Sequence, residues 1–212
     1  MARTVVWDKI YRKYQQGGPA WASLSDGIHN SFISLLNRAK FKTKSALDLG
    51  CGNGKYLKFL QEFGFSVSGI DSSPTAIRMA RRALGKKAKL RMSNIYVARL
   101  PVRKYDLVIS VAAIQHGTKK AIERLVDRIY KSLVFQGKIF ITFPRTTSLK
   151  RWATFGKAKE TAPGTYTPLL GPEKGLPHSF YGKKELKQLF SRFKEVRIMG
   201  DNRGRWVVTG QK

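Results

Sequence analysis

A run of alternating glycines, Gly50-Cys51-Gly52-Asn53-Gly54, follows directly on the apolar segment Ser45–Gly50. Glycines let a backbone turn tightly and approach a ligand with no Cβ in the way. A helix that starts just after such a turn aims its first free amides at the ligand. The chemistry implied is capture of a nucleotide-like molecule. A dinucleotide fingerprint needs glycines at relative positions one, three and six. Here they fall at one, three and five, with Lys55 at the sixth, so no pyrophosphate cradle is satisfied and a nicotinamide enzyme is disfavoured. Asp71 closes the next apolar run, Phe65–Ile70, and a carboxylate at a strand tip accepts both hydroxyls of a ribose. The competing role for Asp71 is to cap the helix that Pro74 opens. Farther on, His116 with Gln115 beside it is the best candidate to orient or deprotonate a nucleophile, and His178 with Tyr181 is a second one. Arg145 is a further candidate, whereas His29 reads as structural.

These residues need a frame that gathers them. Apolar strand-like runs at Ser45–Gly50, Phe65–Ile70, Ala88–Met92, Tyr105–Val111 and Lys138–Phe143 alternate with helical patterns at Lys55–Phe63, Pro74–Leu84 and Lys119–Leu133. Ser72 or Ser73 caps the Pro74 helix. A helix at Lys183–Phe190 and strands at Val196–Met199 and Trp206–Thr209 close the chain. Such alternation predicts a parallel sheet with right-handed crossovers and helices on both faces, and it puts the ligand outside the C-terminal strand edge. Two segments stand apart. Residues 1–44 form an aromatic-rich helical cap containing Trp7, Tyr11, Tyr14, Trp21 and Phe32, where packing is favoured over base stacking. Residues 144–182, rich in proline and glycine, form a long loop insertion expected to wall the substrate site. The whole is expected to be one domain.

The segment Ala46-Leu47-Asp48-Leu49-Gly50-Cys51-Gly52-Asn53-Gly54 resembles the first motif of class I methyltransferases. The resemblance spans about residues 45–143. It implies a Rossmann-like, seven-stranded, mostly parallel α/β sheet with an antiparallel last strand, and S-adenosyl-L-methionine as cofactor. It further implies that Asp48 orients the loop near the methionine part, that Gly50 and Gly52 line the ligand, and that Cys51, Asn53 and Gly54 complete the turn. Asp71 and Ser72 then face the ribose. Where the family commonly has an acidic residue for the adenine amino group, this chain has Asn94, whose side-chain oxygen can accept the same bond, with the Ile95 amide available to a ring nitrogen. Ser110–His116, including Val111, corresponds to the floor of the reaction site. Methyl transfer from a sulfonium is an in-line displacement that proximity and orientation largely accelerate.

Two narrower resemblances compete over the acceptor. Gly50–Leu57, Ile109–His116 and Arg205-Trp206 are similar to wobble-uridine tRNA methyltransferases. Leu176-Pro177-His178-Ser179-Phe180, with Glu185-Leu186 after it, is similar to tellurite-resistance-type enzymes that methylate small molecules. Charge favours the first. The chain carries 41 basic and 13 acidic residues, a net charge of +28 spread over its whole length. Between residues 78 and 91, Arg78, Arg81, Arg82, Lys86, Lys87, Lys89 and Arg91 face no acid, which suits a phosphate backbone. RNA, tRNA by preference, is therefore the expected acceptor and partner. A small-molecule acceptor is the alternative, and a non-catalytic cofactor-binding subunit of another methyltransferase is the third option.

Composition removes other classes. No apolar run is long enough to span a membrane, and no apolar signal core is seen at the start, so a cytoplasmic location is expected. The single cysteine, Cys51, cannot form a disulfide framework or a sulfur-ligated metal site, and no metal ligand set is read from the sequence.

Overall fold

The computed structural model describes residues 2–18, 27–149 and 157–212. Trp21 and residues 150–156 of the long insertion lie outside them. Among the described residues the main sheet has seven strands in the order β3-β2-β1-β4-β5-β10-β9. They are β1 (Ser45–Leu49), β2 (Ser66–Asp71), β3 (Lys89–Met92), β4 (Tyr105–Ser110), β5 (Leu133–Pro144), β9 (Lys194–Gly200) and β10 (Arg205–Gln211). The first five run parallel, and β10 pairs antiparallel with both β5 and β9. The chain order reverses at β1, whose neighbours are β2 and β4, so the crevice for a ligand opens beyond the C-terminal ends of β1 and β4.

Burial explains the central strands. β4 is buried along its whole length, as expected of a parallel strand covered on both faces, and β1 is buried after its first residue. Alternate residues feed two apolar layers. Leu47, Leu49, Val108 and Ile139 pack with helix α5 (Lys119–Ser132) and α6 (Lys183–Leu189). Ala46, Leu107, Ile109 and Phe140 pack with α2 (Asn30–Arg38), α3 (Lys55–Glu62) and α4 (Pro74–Leu84). The caps are local. Ser73 accepts from the Ala76 amide and Pro74 takes the first turn of α4, while Thr118 accepts from the Ala121 amide at the start of α5.

The sequence-predicted loop 144–182 is partly sheet. β6 (Lys159–Ala162) and β7 (Thr165–Thr167) form a hairpin about Pro163-Gly164, and β8 (His178–Ser179) adds a third strand. Proline fixes one φ and Gly164 takes φ 64°, a turn signal that the length of the insertion conceals. β5 also begins five residues earlier than the predicted Lys138, because Leu133 pairs with Tyr105 before an irregularity in the register. No helix among the described residues is long and apolar enough to cross a membrane.

Helix α1 (Ala2–Gln15) docks on α4 through one carboxylate. Asp8, 7% exposed, accepts from the Ser73 hydroxyl at 3.0 Å and the Thr75 amide at 2.9 Å, and pairs with Arg12 at 2.8 Å. Burial raises its pKa, but the Thr75 and Ser73 bonds and the Arg12 charge outweigh burial and hold it below the usual carboxylate value. A negative group at the N-terminus of α4 also complements the helix dipole. Asp8→Ala should destabilise the chain by about 2 kcal/mol in urea unfolding, since it strands buried donors. Because the folded-state pKa is lowered, the contribution is present above about pH 4 and is lost as pH falls through the folded value. The difference between wild type and Asp8→Asn should therefore shrink in acid.

Candidate functional site

The turn after β1 is built by left-handed glycines. Gly50, Gly52 and Gly54 have φ of 82°, 54° and 86°. The Gly50 and Cys51 amides both donate to the Ile70 carbonyl, at 2.7 and 3.1 Å, which ties the turn to the end of β2. A Cβ on Gly50 would lie 2.2 Å from the Ala113 Cβ, and one on Gly52 would lie 2.3 Å from the Tyr11 hydroxyl. Asp71 faces this turn from β2. Its Oδ2 accepts from the Gly52 amide and its Oδ1 from the Ser73 amide, each at 2.9 Å. Asp48 is also buried, and its Oδ1 has no hydrogen-bond partner.

Electrostatics mark this as a binding site for positive charge. Burial raises the Asp48 pKa, and the neighbouring Asp71 charge raises it further. Burial raises Asp71 too, although the Ser73, Gly52 and Ser72 amides pull against it. Desolvation and then the nearby Asp71 and Asp48 charges push up the Tyr11 hydroxyl and the Cys51 thiol alike. Cys51 is thus a packed thiol, not a nucleophile. Two buried carboxylates, Asp71 held by backbone amides and Asp48 with an orphaned oxygen, fit a ligand that supplies hydroxyl donors and a cation. S-adenosylmethionine offers both, through its ribose diol and its sulfonium and ammonium groups.

The second half of the site follows β4. Ser110 donates to the Leu49 carbonyl at 2.8 Å, linking β4 to β1, and Ala112 takes φ 54° while its amide donates to the Thr142 hydroxyl. The turn leads to Gln115 and His116. There the insertion folds back: the Ser179 amide donates to the Gln115 carbonyl at 2.9 Å, and the Ser179 hydroxyl donates to the Gly117 carbonyl at 2.6 Å. This brings His178 edge-on to His116, with ring centroids 4.4 Å apart, while Trp7 of α1 covers the other side of His116 at 4.9 Å. Gln115, His116 and His178 are each 5% exposed. Burial, then the adjacent His178, lowers the His116 pKa to about 3, so the ring is neutral near pH 7. His178 Nδ1 donates to the Leu176 carbonyl at 3.0 Å, and its Nε2 lies 3.2 Å from Glu173.

The other sequence candidates are placed as follows. Asn53 Oδ1 accepts from the Lys55 amide, and Gly54 caps α3 close against Ala80 and Leu84. Ser72 contributes its amide to Asp71. Asn94 Oδ1 accepts from the Tyr96 amide, so that oxygen is engaged in a local turn. Ile95 and Val111 are buried. Arg145 donates to the Arg205 and Asp201 carbonyls and stacks on Trp206, which makes it a brace for the β9–β10 hairpin. Tyr181 packs in the core against Phe143. His29 is buried beside Phe140 and Tyr56. Glu173 was not found by sequence reasoning, since a lone glutamate in a proline-rich stretch carries no signal until the chain folds back.

Gly50→Ala should destabilise the fold by at least about 2 kcal/mol, combining a steric clash with a left-handed Cβ. Gly171→Ala, at φ 77° with open space around it, should cost only about 1 kcal/mol. Thermal unfolding of the two variants checks this, and equal losses would contradict the clash.

Comparison with known proteins agrees with this geometry. Residues 46–137 match the family model described as a methyltransferase domain. A human protein named EEF1A lysine methyltransferase 2 is 35% identical over 98 residues, covering 42% of this chain and 39% of the human protein. A Caenorhabditis elegans protein named phosphoethanolamine N-methyltransferase 2 is 31% identical over 126 residues, covering 56% of this chain and 28% of that protein. The matches thus span well under half the length of these relatives. Among solved structures, a Pyrococcus horikoshii OT3 protein superposes with a TM-score of 0.72 at 19% identity, covering 94% of this chain and 98% of that one. The Burkholderia thailandensis 1,6-didemethyltoxoflavin-N1-methyltransferase, solved with bound S-adenosylhomocysteine, superposes with a TM-score of 0.69 at 16% identity, covering 100% of this chain and 88% of that one. The glycine turn and the reversed strand order lie within residues 46–137, the part of the chain that matches a methyltransferase domain, and the fold is that of S-adenosylmethionine-dependent methyltransferases.

Proposed function

We propose that this protein transfers a methyl group from S-adenosylmethionine to a small-molecule acceptor. The observation that carries the choice of acceptor is the enclosure of the groups after β4. Gln115, His116 and His178 are each 5% exposed, beneath Trp7 on one side and the folded-back segment on the other. A compact acceptor fits such an enclosure better than a nucleic-acid strand does. The name of the nematode relative, a phosphoethanolamine N-methyltransferase, is in keeping with this reading.

The cofactor supplies an electrophilic methyl on a good leaving group. The chain's residues do the rest. Asp71 accepts from the ribose hydroxyls while the Gly52 and Ser73 amides hold its carboxylate in place. Asp48 offers its unpartnered oxygen to the positive end of the ligand. Gly50 and Gly52 leave room for close approach. Neutral His116 orients the acceptor and keeps water out, together with Trp7. With a pKa of about 3 it is a weak base, so acceleration comes mainly from position.

A second reading, methylation of RNA with tRNA preferred, is favoured by the net charge of +28. Arg78, Arg81, Arg82, Lys86 and Lys87 are all exposed on and after α4 and can meet phosphates. Incubation with methyl-labelled cofactor, a low-mass metabolite fraction and unmodified tRNA separates the readings. Label should enter the low-mass fraction, and Asp71→Ala should cut the rate at least tenfold. Label confined to tRNA would establish the second reading instead, and no transfer to either would contradict both.

A further inference from the structure

We propose that His116, Glu173 and His178 form a binding site for a divalent first-row transition-metal ion. Among the described residues this is the group of histidine and carboxylate side chains close enough to share an ion, each offering one donor atom within 4.8 Å of the others. Two histidines and one carboxylate on one side of an ion are a recurring donor set for zinc or non-haem iron, and leave coordination positions open.

The hydrogen bonding and burial of the two histidines carry the inference. His178 Nδ1 donates to the Leu176 carbonyl, which turns Nε2 toward Glu173. A backbone carbonyl holding the remote nitrogen is the usual outer support of a metal-bound histidine. His178 Nε2 and a Glu173 carboxylate oxygen then face each other at 3.2 Å, a gap that a proton or a metal ion can bridge. Adjacent ligands of an ion that holds each at about 2.1 Å are separated by about 3.0–3.4 Å, which matches the spacing seen. His116 supplies an independent observation: the ring is 5% exposed and its Nδ1 makes no hydrogen bond of full geometry, although the Ala112 backbone lies near the ring. Its Nε2 lies 3.3 Å from the Gln115 amide nitrogen. Turning that amide over, which exchanges its oxygen and nitrogen, lets Gln115 Oε1 accept from His116 Nε2 and leaves Nδ1 as a lone pair for an ion.

The three donors come from two segments that meet only because Ser179 bonds to Gln115 and Gly117. An ion would therefore also clamp the insertion onto the turn after β4. Its open positions are suited to an oxygen of the acceptor. That last extension rests on the methyl-transfer reading, whereas metal capture does not.

Titration of the chelator-treated full chain with Co²⁺ tests the site. One equivalent should bind, giving visible absorption bands of a nitrogen- and oxygen-ligated ion and quenching the fluorescence of Trp7, which lies 4.9 Å from His116. Glu173→Gln and His178→Asn should each weaken Co²⁺ binding at least tenfold while S-adenosylmethionine binding is retained. Trp7→Phe should keep the absorption bands and lose the largest share of the quenching, a readout independent of whether the ligand variants fold. Absence of stoichiometric Co²⁺ and Zn²⁺ binding by a chain that still binds S-adenosylmethionine would overturn the proposal. Binding with unchanged affinity in correctly folded variants would overturn it as well.

Discussion

Two carboxylates, Asp48 and Asp71, are taken out of water at one sheet edge, and among the described residues no cation pairs with them. Burying negative charge is costly, and here backbone amides offset only part of the cost. The left-handed glycines, the tie from Gly50 and Cys51 to Ile70, and the packing of Cys51 beneath them all serve to hold those two groups at one sheet edge. A fold that keeps such an arrangement is poised for a ligand bearing positive charge and hydroxyl donors.

Around that centre the chain closes from both ends. Helix α1 is anchored by Asp8 to the start of α4, which places Tyr11 over Gly52 and Trp7 against His116. From the other direction the insertion returns as β8 and fixes His178 beside His116. The sheet supplies a floor, and these two elements, held by polar bonds and by buried side chains such as Ile10, Leu176 and Phe180, form the walls. Opening and closing of such walls would expose the groups after β4 to an acceptor.

What was legible in the sequence is what is local. The glycine turn, the strand-ending Asp71, and the Pro74 and Lys119 helices depend on neighbours a few residues away, and alternation of strands and helices then dictates the sheet. The small β6–β8 sheet escaped notice because its strands are short and lie in a segment whose prolines and glycines dominate its character. Glu173 escaped for a different reason: its meaning depends on a fold-back that pairs residues near 116 with residues near 178, and no periodicity encodes that. Arg145 looked available for substrate but is consumed by the carbonyls of the β9–β10 hairpin. Asn94 likewise gives its oxygen to its own turn. For polar side chains the sequence names the group and leaves open which backbone atoms will claim it.

Calorimetric titration of the full chain with S-adenosylmethionine tests the central claim most directly. A single saturable event at one molecule per chain, weakened by at least tenfold in Asp71→Asn, is the expected result. No heat of binding by the folded wild-type chain, or an affinity indifferent to the loss of that charge, would contradict it.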